Sequence, residues 1–424
     1  MSTDSRRVIW SWALYDFANS PFTTLVVTFV YATYFTQAIA ADPIHGTALW
    51  SRAVTATAIL VALLSPFLGA LADRGGYRKA FVAGFTWLCI AATVALYFVR
   101  PGQVAAALAL FVVANVAFEL SDVFYNAFLP DIAPQSRIGR VSGLGWGMGY
   151  IGGLLALTVA LVTLVQPETP WFGFTHADGE SIRATNLLAA AWFAVFSVPL
   201  WLFVRESLSA RPPAPHVFRD AVAQLRRTFA GIRKYRQVAR FLLARLVYND
   251  ALVTIFAFGG IYAAETFGFP LSEVLLFGIV VNVAAGIGAF AMGYLDDYIG
   301  GKRTIVVSLL GLILATGLAV AATTKTSLWI AGIAIGVFVG PNQSASRSLM
   351  GRFVPPRMEN EFFGFFAFSG KLTAFIGPFL LGMLTDLSGS QRVGFSAVLA
   401  LFVVGVPLLL WVDEREGLET AARS

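Results

Sequence analysis

The sequence holds one cysteine, Cys89, and three histidines, His45, His176 and His216, in 424 residues. A single thiol supports neither a disulfide framework nor a thiolate metal cluster. The histidines fall far apart in polar connecting segments, so no metal centre or histidine-based catalytic site can be assembled from them. Charge is scarce as well: 13% of residues are Asp, Glu, Lys or Arg, where a soluble domain carries roughly a quarter. No G-x-x-x-x-G-K-[ST] loop occurs, which argues against nucleotide-driven pumping. No catalytic residue, metal or cofactor is expected.

Apolar residues are abundant instead: 57% of the chain is hydrophobic, 37 residues are Phe, and the mean hydropathy is +0.73. No soluble core of this length could hide that much apolar surface, so lipid must solvate most of it. The chain reads as an all-α, multi-pass membrane protein. At ~20 residues per bilayer crossing, about a dozen helices fit. Apolar runs between charged punctuation predict spans near 9–38, 51–72, 80–99, 103–126, 142–165, 184–204, 241–265, 272–295, 304–322, 327–350, 362–385 and 392–412.

Lys and Arg fall unevenly on the two sides of these spans. The side carrying both termini has 23 of the 30, the other side 5, and Arg245 and Lys371 lie inside spans. The positive-inside rule then predicts cytoplasmic termini, and the net charge of +6 needs no nucleic-acid partner to explain it. Arg6-Arg7 could suggest an export signal, but the following stretch is too long and contains Asp16, which favours a retained first helix. Trp10, Trp12, Trp50, Trp171, Trp201, Trp329 and Trp411 sit near predicted helix ends, as an interfacial belt would place them.

Residues 205–240 separate six spans from six. They hold Arg211-Pro212-Pro213, then Phe218, Val222, Leu225, Phe229 and Ile232 at helical spacing, with basic residues on the other faces. An amphipathic helix on the inner leaflet and a solvated basic tether are both open readings. The predicted organisation is a six-helix bundle (1–204), the linker (205–240), a second bundle (241–412) and a cytoplasmic tail (413–424).

The halves repeat. Gly69, Asp73, Gly76, Arg78 and Lys79 recur as Gly293, Asp297, Gly300, Lys302 and Arg303, all displaced by 224 residues. Pro134 and Gly143 recur as Pro355 and Gly364, displaced by 221. Matched features at one place in each half indicate a parallel 6+6 repeat.

These residues resemble a known superfamily. G-x-x-x-D-R-x-G-x-R-K over Gly69–Lys79 is similar to the loop signature of the major facilitator superfamily, and Gly293–Arg303 to its weaker second copy. Trp12-Ala-Leu-Tyr15-Asp16-Phe17-Ala18-Asn19-Ser20, Arg140-Val-Ser-Gly143 and Asn342-Gln343-Ser-Ala-Ser-Arg347 resemble the vacuole effluxer family within it. The resemblance implies the twelve-helix 6+6 major facilitator fold. Its fungal branch is linked to amino-acid efflux from the vacuole. It also implies a conformational latch in which Asp73 faces the N-terminal end of the eleventh span and Asp297 that of the fifth. Gly69, Arg74, Gly76, Arg78, Lys79, Gly293, Lys302 and Arg303 complete it. A charged topogenic turn would explain one such loop, not two with matched spacing.

Polar side chains inside spans cost ~2.5–3.5 kcal/mol when charged, so their positions are informative. Span one has Asp16 and Asn19; span four has Asn115, Glu119, Asp122 and Asn126, at spacings of 4, 3 and 4 on one face. Span seven has Arg245, Asn249 and Asp250; span ten has Asn342 and Gln343; span eleven has Lys371. The superfamily lines its central cavity with spans one, four, seven and ten, where these residues concentrate. Glu119 and Asp122 are candidate proton sites, and ion pairing with Lys371 or Arg245 is the structural alternative. Lys371 suits a counter-ion for a substrate carboxylate or for those two acids, and Arg347 reads as an interfacial anchor. Arg245 and Asp250, five apart, are expected to have different partners.

The expected protein is a secondary active transporter, monomeric and lipid-embedded in a bacterial-type inner membrane. It would move a small polar solute with a proton, or sodium, as coupling ion. A cation-coupled sugar or glycoside symporter and a non-transporting sensor are the alternatives.

Overall fold

A computed structural model describes residues 3–206, 217–230 and 233–423. Among them, twelve helices are long and apolar enough to cross a bilayer. Spans one to six are Ser5–Ile39, Pro43–Gly75, Arg78–Tyr97, Val104–Ile132, Gln135–Val165 and Ala177–Phe203. Spans seven to twelve are Arg236–Phe267, Ser272–Ile299, Gly301–Ala321, Lys325–Phe353, Glu359–Ser388 and Gln391–Leu410. Most run beyond the predicted limits, because hydropathy marks where the apolar stretch ends and the helix continues through charged residues. Local chemistry sets the ends. Thr324 and Ser327 form a capping box that opens span ten, each side chain bonded to the other's amide at 3.1 Å. Spans seven and eleven stop where Gly268 and Gly389 turn left-handed, with φ of 65° and 64°.

Two spans depart from regular α-helix. Span one winds as a π-helix over Phe22–Phe29 and again over Phe35–Ile39. Span eleven, expected to be continuous, is two helices, Glu359–Lys371 and Ile376–Ser388, joined by a turn. Pro378 lacks an amide proton, and its ring crowds the carbonyl four residues back, which is where the helix breaks. Two of the seven belt tryptophans also correct the expectation: Trp12 and Trp50 are buried, while Trp10, Trp171 and Trp411 are exposed.

The chain forms two compact units. One comprises Met1–Val61, Gly76–Tyr125 and Met148–Ala210; the other comprises Ala62–Gly75, Asn126–Gly147 and Arg211–Ser424. Aromatic stacking organises the first. Tyr125 of span four stacks on Trp12 and Tyr15 of span one at 4.7 and 4.6 Å between ring centres. The indole of Trp12 donates to the Tyr125 carbonyl and the Tyr125 hydroxyl to the Trp12 carbonyl, at 3.1 and 3.0 Å.

In the second unit, the linker contributes one helix, Val217–Ala230. Its buried positions are Ala221, Gln224 and Thr228, a small and polar face, while Val222 is exposed. Within that face Gln224 hydrogen-bonds Arg74 and Glu361. Arg211-Pro212-Pro213, His216 and Ile232 lie outside the described residues, as do the side chains of Phe218 and Phe229.

Candidate functional site

Within the second unit, two carboxylates cap two helix N-termini in matching fashion. Asp73 follows the apolar part of span two. Its Oδ1 accepts from the Asn360 amide and side chain at 3.1 and 2.7 Å, and its Oδ2 from the Glu361 amide at 2.8 Å. Asp297, near the end of span eight, accepts from the Gly139 amide at 2.8 Å and the Arg140 amide at 3.4 Å. Asn360 and Glu361 open the helix of span eleven, as Gly139 and Arg140 open that of span five. Free amides and the helix dipole at such ends favour an anion.

The pairing obeys the repeat. Asp73 and Asp297 are 224 apart, and Gly139–Arg140 and Asn360–Glu361 are 221 apart. The glycines four residues before each Asp make the approach possible: a Cβ on Gly69 would strike the Asn360 backbone, and one on Gly293 the Gly139–Arg140 backbone at about 3 Å. Gly364 lies against the Ser65 carbonyl and Gly143 against that of Ala289, again 224 apart.

The support behind the two clasps differs. Asp297 also receives Arg140 Nε at 2.5 Å, with Arg352 Nη2 at 3.6 Å. Neighbouring Asp296, fully buried, takes Arg352 and the Ser348 hydroxyl. On the other side the linker helix supplies Gln224, which accepts from Arg74 and donates to Glu361. Arg347, expected as an interfacial anchor, is instead buried. Its guanidinium donates to the Ser142 hydroxyl at 3.0 Å, the Ser142 carbonyl at 2.7 Å and Asn126 Oδ1 at 3.0 Å. Its chain position places it near a helix end, but a face of small residues lets span ten bury it. Arg347 and Asn126 are themselves repeat mates, 221 apart.

The remaining loop residues hold helix ends within their own units. In the first unit Gly76 turns left-handed, Lys79 Nζ caps the end of span six through the Trp201 and Val204 carbonyls, and Glu206 accepts from the Arg78 amide. Burial holds the Glu206 carboxyl above its ordinary range, against the pull of Arg78. In the second, Glu414 accepts from the amides of Gly301 and Lys302, and Lys302 Nζ reaches the Leu410 carbonyl. Arg303 is exposed.

The intramembrane polar residues divide between the units. Asp16, Asn19 and Asn115 are buried in the first, with Glu119 and Asp122 half-buried. In the second, Asn342 donates to Ser308 at 2.9 Å, and Gln343 and Lys371 are half-buried. Span seven is stitched to broken span eleven. Arg245 donates to the Phe366 carbonyl and Ser369 hydroxyl at 2.6 and 2.9 Å and stacks 3.6 Å over the Phe366 ring. Asn249 donates to the Gly370 carbonyl at 3.2 Å, and Asp250 accepts from the Gly377 amide at 2.8 Å. Arg245 and Asp250 thus have separate partners.

Sequence reading missed Ser142, Gln224, Arg352, Asn360 and Glu361. The 221-residue offset was a signal for the last two, since it maps Gly139–Arg140 onto them.

Comparison with known proteins places this arrangement. A family described as "Vacuole effluxer Atg22 like" matches residues 47–422. An uncharacterised MFS-type transporter, YxiO of Bacillus subtilis, is 30% identical over 96% of this chain and 94% of its own. Autophagy-related protein 22 of Coccidioides immitis is 24% identical over 82% of this chain and 70% of its own. The chain spans 50% of Autophagy-related protein 22-1 of Penicillium rubens. Among solved structures, the human organic anion transporter MFSD10 aligns at TM-score 0.74 with 16% identity, covering 96% of this chain and 100% of that one. A double-tryptophan mutant of XylE aligns at 0.78 with 12% identity, covering 100% and 99%. The fold is that of the major facilitator superfamily.

Proposed function

Because this integral membrane chain belongs to the Atg22-like vacuole effluxer family of major facilitator transporters, we propose that it carries a small polar solute, an amino acid, by proton-coupled alternating access. The observation that supports this most is the pair of repeat-related clasps, Asp73 on Asn360–Glu361 and Asp297 on Gly139–Arg140. Each joins a segment of one six-helix half to a helix start of the other through a few part-buried hydrogen bonds. Such contacts can form and break as the halves rock, biasing a two-state equilibrium. The halves that rock are residues 1–204 and 241–412, joined by the 205–240 linker, with 413–424 as a tail.

The solute path is assigned to the polar residues of spans one, four, seven and ten, with Glu119 and Asp122 as proton carriers and Lys371 as the counter-ion for a carboxylate. The charge asymmetry across the spans supports cytoplasmic termini, in a bacterial-type inner membrane. The protein acts as a monomer. The test is uptake of a labelled amino-acid mixture into proteoliposomes, with and without an imposed pH gradient. Gradient-driven uptake is expected. Folded protein that takes up no amino acid overturns the substrate class, and uptake that follows sodium rather than pH overturns the coupling ion.

A further inference from the structure

The break in span eleven faces a carboxylate that its surroundings leave half satisfied. Asp250 is 14 residues from the start of span seven and 17 from its end, so it lies near mid-membrane. It is 2% exposed. Its Oδ2 accepts from the amide of Gly377, in the first turn of the half-helix Ile376–Ser388, at 2.8 Å. Its Oδ1 is buried with no hydrogen-bond partner among the described residues. The nearby Thr254 hydroxyl is spent on the carbonyl of Asp250 at 2.7 Å.

Among the described residues, no cation pairs with this carboxylate. Arg245, on the same helix, is directed to the Phe366 carbonyl and the Ser369 hydroxyl, and the Tyr248 hydroxyl bonds Ser346. On span eleven, Lys371 ends the half-helix before the break. On span twelve, Arg392 reaches the Val320 carbonyl. On span ten, Arg347 binds Ser142 and Asn126, and Arg352 binds Asp296. On span eight, Glu273 pairs with Lys325, and on the C-terminal helix Glu416 pairs with Arg236.

A carboxylate here would be an ion at membrane depth with one donor. The half-helix dipole favours the anion, but it offsets only a small part of the cost of burying an unpaired charge. The neutral acid keeps the Gly377 hydrogen bond and avoids that cost. We propose that Asp250 is a proton-binding site: it holds a proton while span seven is sealed against the break of span eleven, and releases it to water when the two part. Gly377 makes the seal possible, since a Cβ there would strike the Thr254 hydroxyl. Pro378 makes it switchable, since the break leaves the Gly377 amide dependent on Asp250 rather than on its own helix. The coupling role of this site rests on the transporter reading above; its protonation does not.

The test is infrared spectroscopy of the purified full-length protein in nanodiscs at neutral pH. Wild type should show a protonated-carboxyl stretch that Asp250→Asn lacks, and that shifts when the aspartates carry heavy carbon in their side-chain carboxyls. Spectra of wild type and Asp250→Asn that superpose in this region overturn the proposal. If Asp250→Asn fails to fold, Asp250→Glu decides: with labelled aspartates its band should lose the isotope shift, and a shift equal to that of wild type overturns the proposal. In proteoliposomes given the labelled amino-acid mixture, a one-unit pH gradient coupled to one proton supports about tenfold accumulation. Asp250→Asn should lose that accumulation and Asp250→Glu regain it; Asp250→Asn that accumulates like wild type removes the coupling role. Wild type that accumulates nothing overturns the amino-acid reading of the substrate, and the infrared result still judges the site.

Discussion

Replacing Asp73 with alanine isolates the contribution of one clasp. The substitution removes an acceptor for two amides and one side chain, at 3.1, 2.8 and 2.7 Å. An N-terminal capping side chain is worth about 1 kcal/mol and a charge at a helix N-terminus up to about 1 kcal/mol when part-exposed, so the clasp loses about 2 kcal/mol. At 1.4 kcal/mol per tenfold, the population with span eleven parted from residues 62–75 should rise roughly thirtyfold. Ser65 is a built-in reporter: it is fully buried and donates to the Gly364 carbonyl at 3.0 Å. A Ser65→Cys protein should react with a membrane-impermeant maleimide only through the parted state. The background is nearly silent, because the one native thiol, Cys89, is buried. With closing faster than labelling, the rate follows the parted population. Ser65→Cys/Asp73→Ala should label about thirtyfold faster than Ser65→Cys alone. A change under about twofold, worth less than ~0.5 kcal/mol, would refute the clasp.

Three further outcomes follow from the same contacts. Gly69→Ala should speed Ser65→Cys labelling because its Cβ meets the Asn360 backbone, whereas Gly84→Ala, with open space around it, should leave labelling unchanged. Gln224→Ala cuts the link from Arg74 to Glu361 and should raise labelling severalfold, which would make the linker helix part of the closure; an unchanged rate would reduce it to a tether. Glu416 is held below the ordinary Glu range by its hydrogen bond from Arg236 and by Gln237, so its stabilisation is present above the unfolded-state pKa and is lost as pH falls through the folded one. Limited proteolysis of the Glu414–Arg423 helix should therefore accelerate on acidification, and Glu416→Gln should cleave at the acid rate at every pH.

The helix count and the repeat were legible because they rest on patterns in the chain itself, apolar runs and fixed offsets, whereas the pairing of Asp73 with span eleven and of Asp297 with span five came from the resemblance to the superfamily. What was not legible depends on tertiary packing. Arg347 looks interfacial from its distance to a helix end, and nothing local says that Ser142 and Asn126 will receive its guanidinium. Gln224 sits on a helix whose apolar residues pointed to lipid, yet its polar face is the buried one. The Gly377–Pro378 pair was visible, but that the freed Gly377 amide would be answered by Asp250, 127 residues earlier, required the fold. The span-four stripe was read as one surface. Its last member, Asn126, serves Arg347, so a shared face does not mean a shared partner.

The unequal support of the clasps has an energetic logic under the proposed rocking. A state that must be left repeatedly can be favoured by only a few kcal/mol. The driest ion pair, Arg352 with Asp296, links span ten to span eight inside one half, so rocking need not break it. One ion pair that crosses between halves, Arg140 with Asp297, has an Arg side chain 40% exposed, where water screens it to about 1 kcal/mol or less. Arg347 also crosses, donating to the Ser142 hydroxyl and carbonyl and to Asn126 Oδ1. The dry Arg352–Asp296 pair can thus stay closed within a half while the water-screened Arg140–Asp297 pair opens between them, which keeps that contact both formed and escapable.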